Sequence, residues 1–183
     1  MTVSSGIYKG RTIFVPKSGV KPTSDRVRQA VMNMLSGDIR GAKFLDLCAG
    51  TGAVAIEALS HGASFACLVE STEKLYRVLK KNLEDIVPDR SLYRTVRHNA
   101  FQLTREIVGE DVLPFDIVFS DPFYDQIRLA MDDLYRVAME MLRPGGIFML
   151  EHGDKDDFSI WPGFVSARFY GDTGITVFRK AEA

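Results

Sequence analysis

From Lys43 onward, short apolar runs alternate with longer stretches in which apolar residues recur at helical spacing. The pattern predicts strands at 43–48, 65–70, 92–96, 115–120 and 146–151, with helices at 53–61, 72–86, 101–108 and 126–142. Strands that are apolar throughout, each followed by an amphipathic helix, are those of a parallel sheet covered on both faces. Arg143-Pro144-Gly145-Gly146 marks the end of the last helix. Beyond 151 the pattern changes: β-like runs at 164–170 and 174–179 flank Gly171-Asp172-Thr173-Gly174, which predicts a hairpin.

The first 42 residues are built differently. Ser5 to Pro16 alternates only in part and holds two glycines, as a short hairpin or extended arm would. Lys17 to Pro22 is a predicted loop. Thr23 or Ser24 can then cap a helix that places Val27, Ala30, Val31, Met34 and Leu35 on one face. This divides the chain into an extension, 1–42, and a main domain, 43–183.

Composition changes the picture little, but charge changes it more. At 183 residues, 46% hydrophobic and 26% charged, the chain has the makeup of an ordinary soluble globular protein. No apolar run approaches the roughly 20 residues of a membrane helix, and the N-terminus lacks the apolar core of a signal peptide. A cytoplasmic location is expected. Cys48 and Cys67 lie in apolar runs without metal-ligand spacing, so free thiols and no metal site are expected. The net charge of −1 conceals eight Lys/Arg against two Asp in residues 1–43, a balance of +6, with −7 in the remainder. A basic arm on an acidic body suits a polyanionic partner; solvated charges on an extension are the plainer alternative.

Candidate chemistry lies at two predicted strand ends. Phe44-Leu45-Asp46-Leu47-Cys48-Ala49-Gly50-Thr51-Gly52 carries an acid in the first strand and a glycine turn into a helix. Gly50 to Ala55 also satisfies the dinucleotide pattern G-x-G-x-x-A, which leaves NAD open as a ligand. The acids favour S-adenosylmethionine (SAM): Asp46 attracts an ammonium or sulfonium but repels a pyrophosphate. Glu70, ending the second strand, can take ribose hydroxyls with either ligand. Asn99 and Phe101 could meet an adenine, or serve as a helix cap and a core aromatic.

The second strand end is Asp121-Pro122-Phe123-Tyr124, after the apolar run 115–120. Ligands of open α/β sheets collect at such ends. The exocyclic amine of a nucleobase is a poor nucleophile because its lone pair is delocalised into the ring. Hydrogen bonds from it to Asp121 and to the Pro122 carbonyl localise the lone pair and stabilise developing positive charge. Tyr124 and Phe123 are candidates to stack on the base.

In combination, the Asp46 loop, Glu57-Ala58-Leu59-Ser60-His61-Gly62-Ala63, Glu70 and the Asp121 tetrapeptide resemble the SAM-dependent amino methyltransferases. Lys21-Pro22-Thr23-Ser24-Asp25-Arg26-Val27-Arg28-Gln29-Ala30 is similar to the R-P-T-x-D-x-V-R-E-A block of the bacterial 16S ribosomal RNA guanine-N2 methyltransferases. The resemblance covers nearly the whole chain. It implies a doubly wound, mostly parallel, seven-stranded Rossmann-like sheet with a C-terminal antiparallel hairpin, and methyl transfer from SAM to a guanine N2 of small-subunit rRNA, in a 30S particle, by a monomer. By resemblance, Asp46, Ala49, Gly50, Thr51, Gly52, Glu70, Asn99, Ala100 and Phe101 hold the cofactor. Asp121, Pro122, Phe123 and Tyr124 form the catalytic corner. Lys9, Arg11, Lys21, Arg26 and Arg28 meet RNA, although Arg26 or Arg28 could order the active site instead. The chain departs from the family pattern in Phe123 for the second proline of D-P-P-Y, Asn99 for an acid, and Lys21 for an arginine. Alternatives are a DNA adenine or protein glutamine target, a non-catalytic SAM- and RNA-binding module, and an NAD-dependent oxidoreductase.

Overall fold

The computed structural model describes residues 1–17 and 23–182, so Lys21 lies outside the described residues. Five parallel strands, β1 (Lys43–Asp46), β2 (Phe65–Val69), β3 (Tyr93–Val96), β4 (Phe115–Ser120) and β5 (Leu142–Gly153), are completed by β6 (Phe164–Tyr170) and β7 (Thr173–Arg179). Their order is β3-β2-β1-β4-β5-β7-β6, with β7 antiparallel between β5 and β6. The seven-stranded sheet and C-terminal hairpin are as the sequence led us to expect. The chain runs outward from β1 to β3 and then returns beside β1 as β4. The topological switch point therefore falls between the Asp46 loop and the Asp121 corner, two sequence signals 75 residues apart.

Helices α1 (Asp25–Met34), α2 (Ala53–Ser60), α3 (Glu73–Ile86), α4 (Arg105–Val108) and α5 (Tyr124–Met141) cover the sheet. Alternation along the strands divides the core in two. Phe44, Ile117, Phe119 and Met149 pack with α1, α2 and α3, whereas Leu45, Val118, Phe148 and Leu150 pack with α5. Both faces are covered, which explains why these strands carry apolar residues on both faces. Edge strand β6 is mostly exposed.

The N-terminal arm is joined to that core. Thr2 and Thr12 form an antiparallel bridge, Val3 N–H donates to the Arg11 carbonyl (2.9 Å), and Val3 and Ile13 are buried with Val27, Val31 and Leu35 in the α1–α3 layer. The pairing begins at Met1–Val3, upstream of the expected hairpin. Ser24 caps α1 by accepting from Val27 N–H.

Three elements differ from expectation. The helix at 101–108 is split into a 3-10 turn, Ala100–Gln102, and α4, because Asn99 and Thr104 each cap a new start. Helix α5 begins at Tyr124, two residues early, and is kinked at Ala130 (φ −141°, ψ 28°). Strand β5 begins at Leu142, pairs with Phe115, and resumes its ladder only at Ile147 after an irregularity that accommodates Arg143 to Gly146.

Candidate active site

The turn after β1 needs its glycines. Gly50 (φ 54°) and Gly52 (φ 84°) are left-handed, a region that side chains strain. Beside Gly50, a Cβ would meet nothing within 4 Å, so the loop borders open space. Glu70 fastens this loop to the end of β2: its Oε2 accepts from Gly50 N–H (3.0 Å) and its Oε1 from Thr72 N–H (2.7 Å). A carboxylate offers about four acceptor directions, so lone pairs remain for hydroxyls. From α3, Asn82 Nδ2 donates to the Thr51 carbonyl (2.9 Å) and holds the other side of the turn.

These groups surround a cavity of about 720 Å³, the size of a nucleoside-bearing ligand. Asp46, Ala49, Gly50, Thr51, Glu70, Asn99, Ala100 and Phe101 line it, as do Asp121, Pro122 and Phe123. Gly52 stands behind the wall as the cap of α2. Asn99 is also a cap in fact, since its Oδ1 accepts from Phe101 N–H (3.1 Å). The cap reading of Asn99 thus holds in a segment that also lines the cavity. Cys48 is on the wall and Cys67 in the core; both are free, and burial pushes both thiols up.

Asp46 tests whether the site fits SAM. It is buried, and its Oδ1 has no hydrogen-bond partner. Burial, with Asp121 and Glu70 adding like charge, pushes its carboxyl from 3.8 to about 8. Such an orphaned acceptor suits the ammonium of SAM, which would draw the carboxyl back to its ionised form. A pyrophosphate has nothing to gain here. The folded chain keeps this proton to about pH 8 while the unfolded chain loses it near 3.8, so stability falls as pH rises through that window. SAM binding at pH 7 is therefore expected to release up to about one proton, and almost none above about pH 9. Calorimetry in buffers of different ionisation enthalpy measures this, and Asp46→Asn should abolish it.

At the catalytic corner, Thr23 Oγ1 donates to Asp121 Oδ2 (2.9 Å). Pro122 is buried, and Phe123, 65% exposed, forms the rim. Its φ of −58° lies where a proline would hold it, so the exchange for phenylalanine keeps the backbone course. Tyr124 lies to the side. Its hydroxyl is 3.4 Å from Thr173 Oγ1, its ring lies against Gly153, and it does not line the cavity. Because α5 begins at Tyr124 and successive helical side chains diverge by about 100°, the residue after a cavity-facing Phe123 turns inward. Of the two aromatic candidates, Phe123 is the one on the cavity wall.

The basic residues also separate. Arg28, grouped by sequence with the RNA contacts, is fully buried: it bonds the carbonyls of Thr2 and Thr23 (both 3.0 Å) and pairs with Asp25 (2.9 Å) and Glu57 (3.5 Å). It is an internal tie with no surface for phosphate. Arg26 is exposed beside the Tyr170 ring, at the hairpin tip next to the carboxyl ends of the strands. Arg11 donates to the Asp85 carbonyl in the last turn of α3, about 18 Å along that helix from its cavity-lining start. Lys9 is exposed on the same arm.

Sequence reasoning missed Thr23, Lys74 and Leu129, all of which line the cavity. Thr23 registered only as a possible cap. Leu129, 88% exposed, sits next to the kink at Ala130, which leaves no mark in the periodicity.

Fold and site together define a SAM-dependent methyltransferase: a switch-point cavity with a buried acid, one of its oxygens unbonded, on one side and an acid-proline corner on the other. Along residues 1–179 the chain matches the family described as Conserved hypothetical protein 95, and it belongs to that family. It is 30% identical over 179 residues to ribosomal RNA small subunit methyltransferase D of Haemophilus influenzae, covering 97% of this chain and 91% of that one. A hypothetical protein of Thermus thermophilus superposes with a TM-score of 0.81 at 26% identity, over 100% of this chain and 99% of the other. An RNA methyltransferase of Salinibacter ruber, solved with S-adenosyl-L-homocysteine, shares the fold at a TM-score of 0.68 and 17% identity, over 89% and 95% of the two chains. No helix among the described residues is long and apolar enough to cross a membrane.

Proposed function

We propose that this chain transfers a methyl group from SAM to the exocyclic N2 amine of a guanine in small-subunit rRNA, acting as a monomer on an assembled or assembling 30S particle. The observation that carries the reading is the Asp121–Pro122 corner on the wall shared with the Asp46 loop. The name of the Haemophilus influenzae relative supports the RNA target, and the family block at Lys21–Ala30 supports guanine.

When bound, SAM supplies an electrophilic methyl carbon. The protein's own residues prepare the acceptor. Asp121 and the Pro122 carbonyl each accept an N–H of the base amine, which turns its lone pair out of ring conjugation toward the methyl donor. The same two acceptors stabilise the positive charge that grows on nitrogen. Proton loss can follow to water, so no strong base is needed. Phe123 stacks on the base and keeps water from the corner. Asp46, Glu70 and Asn99 hold the methionine, ribose and adenine parts of the cofactor.

RNA phosphates meet Arg26 at the rim, with Lys9 and Arg11 engaging flanking RNA farther along α3. For Phe123→Ala, kcat/KM for RNA should fall about ten- to a hundredfold, the loss of roughly 1–3 kcal/mol of stacking, with SAM affinity unchanged by calorimetry. The function is tested by nucleoside analysis of rRNA from cells lacking the gene. One N2-methylguanosine should be lost and restored by the wild-type gene; an unchanged guanosine profile overturns the reading.

A further inference from the structure

We propose that Thr23 is a positioning residue for methyl transfer: its hydroxyl, donated to Asp121 Oδ2 over 2.9 Å, sets the orientation of the carboxylate that receives the base amine. The inference rests on the reading of Asp121 as that acceptor.

Thr23 comes from a segment 98 residues away in sequence, yet its side chain is on the cavity wall beside Asp121. It is held from below. Its carbonyl accepts from Nη1 of Arg28, and that fully buried guanidinium also bonds Thr2, Asp25 and Glu57. The next residue, Ser24, is fixed as the cap of α1. A β-branched side chain on so constrained a backbone has few rotamers, and its hydroxyl points where the tie to Arg28 places it. Asp121 follows a rigid strand, and an amine in the plane of a base tolerates only a narrow range of acceptor directions. A directed donor on Oδ2 constrains the carboxylate's orientation without by itself filling its acceptor directions. The hydroxyl is neutral, so it orients the carboxylate without cancelling the charge that the reaction uses.

A purely structural role, in which the bond only pins the N-terminal segment, makes different predictions. Thr23→Val preserves shape and removes the donor, and Thr23→Ser restores it. The full-length variants are assayed with saturating SAM on 30S particles lacking the modification, and the labelled nucleoside is identified. Thr23→Val should lower kcat about ten- to a hundredfold, the scale of one lost hydrogen bond to a charged group, with KM for SAM and for RNA each within about threefold of wild type. Thr23→Ser should stay within about threefold of wild-type kcat. The proposal is overturned if Thr23→Val keeps wild-type kcat, if its loss falls in KM, or if serine fails to rescue. Label in a base other than guanine would overturn the guanine assignment alone, because the ratio of valine to serine variants is read on whichever base accepts the methyl.

Discussion

Replacing Asp121 by alanine is expected to lower kcat about a thousandfold, near 4 kcal/mol of transition-state stabilisation. The size follows from the role proposed for the carboxylate, accepting from the amine and facing the charge that develops on nitrogen inside a partly closed cavity, where such interactions exceed their value in water. The effect should be confined to kcat. Asp121 is one of the charges that push Asp46 up to about 8, so its removal makes Asp46 easier to ionise and SAM binding at neutral pH no weaker. Single-turnover methylation and calorimetry on the same preparation separate the two quantities. Equal losses in kcat and in SAM affinity would show that Asp121 belongs to the cofactor site.

The second large effect is on stability. Arg28→Ala leaves the buried carboxylate of Glu57 without its cation and the carbonyls of Thr2 and Thr23 without a donor. Removing one partner of a buried ion pair costs about 3–5 kcal/mol, which for a domain of this size lowers Tm by roughly 6–20 °C. Arg26→Ala should behave oppositely: Tm unchanged, RNA affinity lower, and the salt dependence of binding reduced by about one unit of slope. Thermal melting and a salt titration of RNA binding measure both. An Arg28→Ala variant that melts like wild type but loses one phosphate contact would reverse the assignment.

That contrast shows what the sequence could and could not convey. Parallel strands between two helical layers leave uninterrupted apolar runs, so 115–120 was legible to the residue, and the switch point followed from the alternation. Glycines at 50 and 52 announce themselves because few other residues take positive φ. Arg26 and Arg28, by contrast, are both basic and two positions apart, and only the helix phase together with the arm folded over α1 buries one and exposes the other. The direction of Tyr124 was not legible for a similar reason: it depends on where α5 begins, and caps such as Asn99 and Thr104 shift helix boundaries by a turn. Thr23 was invisible as a site residue, because its partner lies 98 residues away and nothing in either segment marks the pairing.

The Thr23 bond also bears on how the arm is regarded. Residues 1–42 differ from the main domain in pattern and charge, yet they share the α1–α3 core and supply a side chain to the cavity. If that segment also meets RNA, as proposed, substrate engagement is tied to the geometry of Asp121.

The most direct test of the account is to incubate the purified full-length chain with methyl-labelled SAM and 30S particles that lack the modification, then digest the products to nucleosides and amino acids. The account predicts label in a single N2-methylguanosine of the small-subunit rRNA. Label in N6-methyladenine or methylated glutamine, with guanine unlabelled, would contradict it.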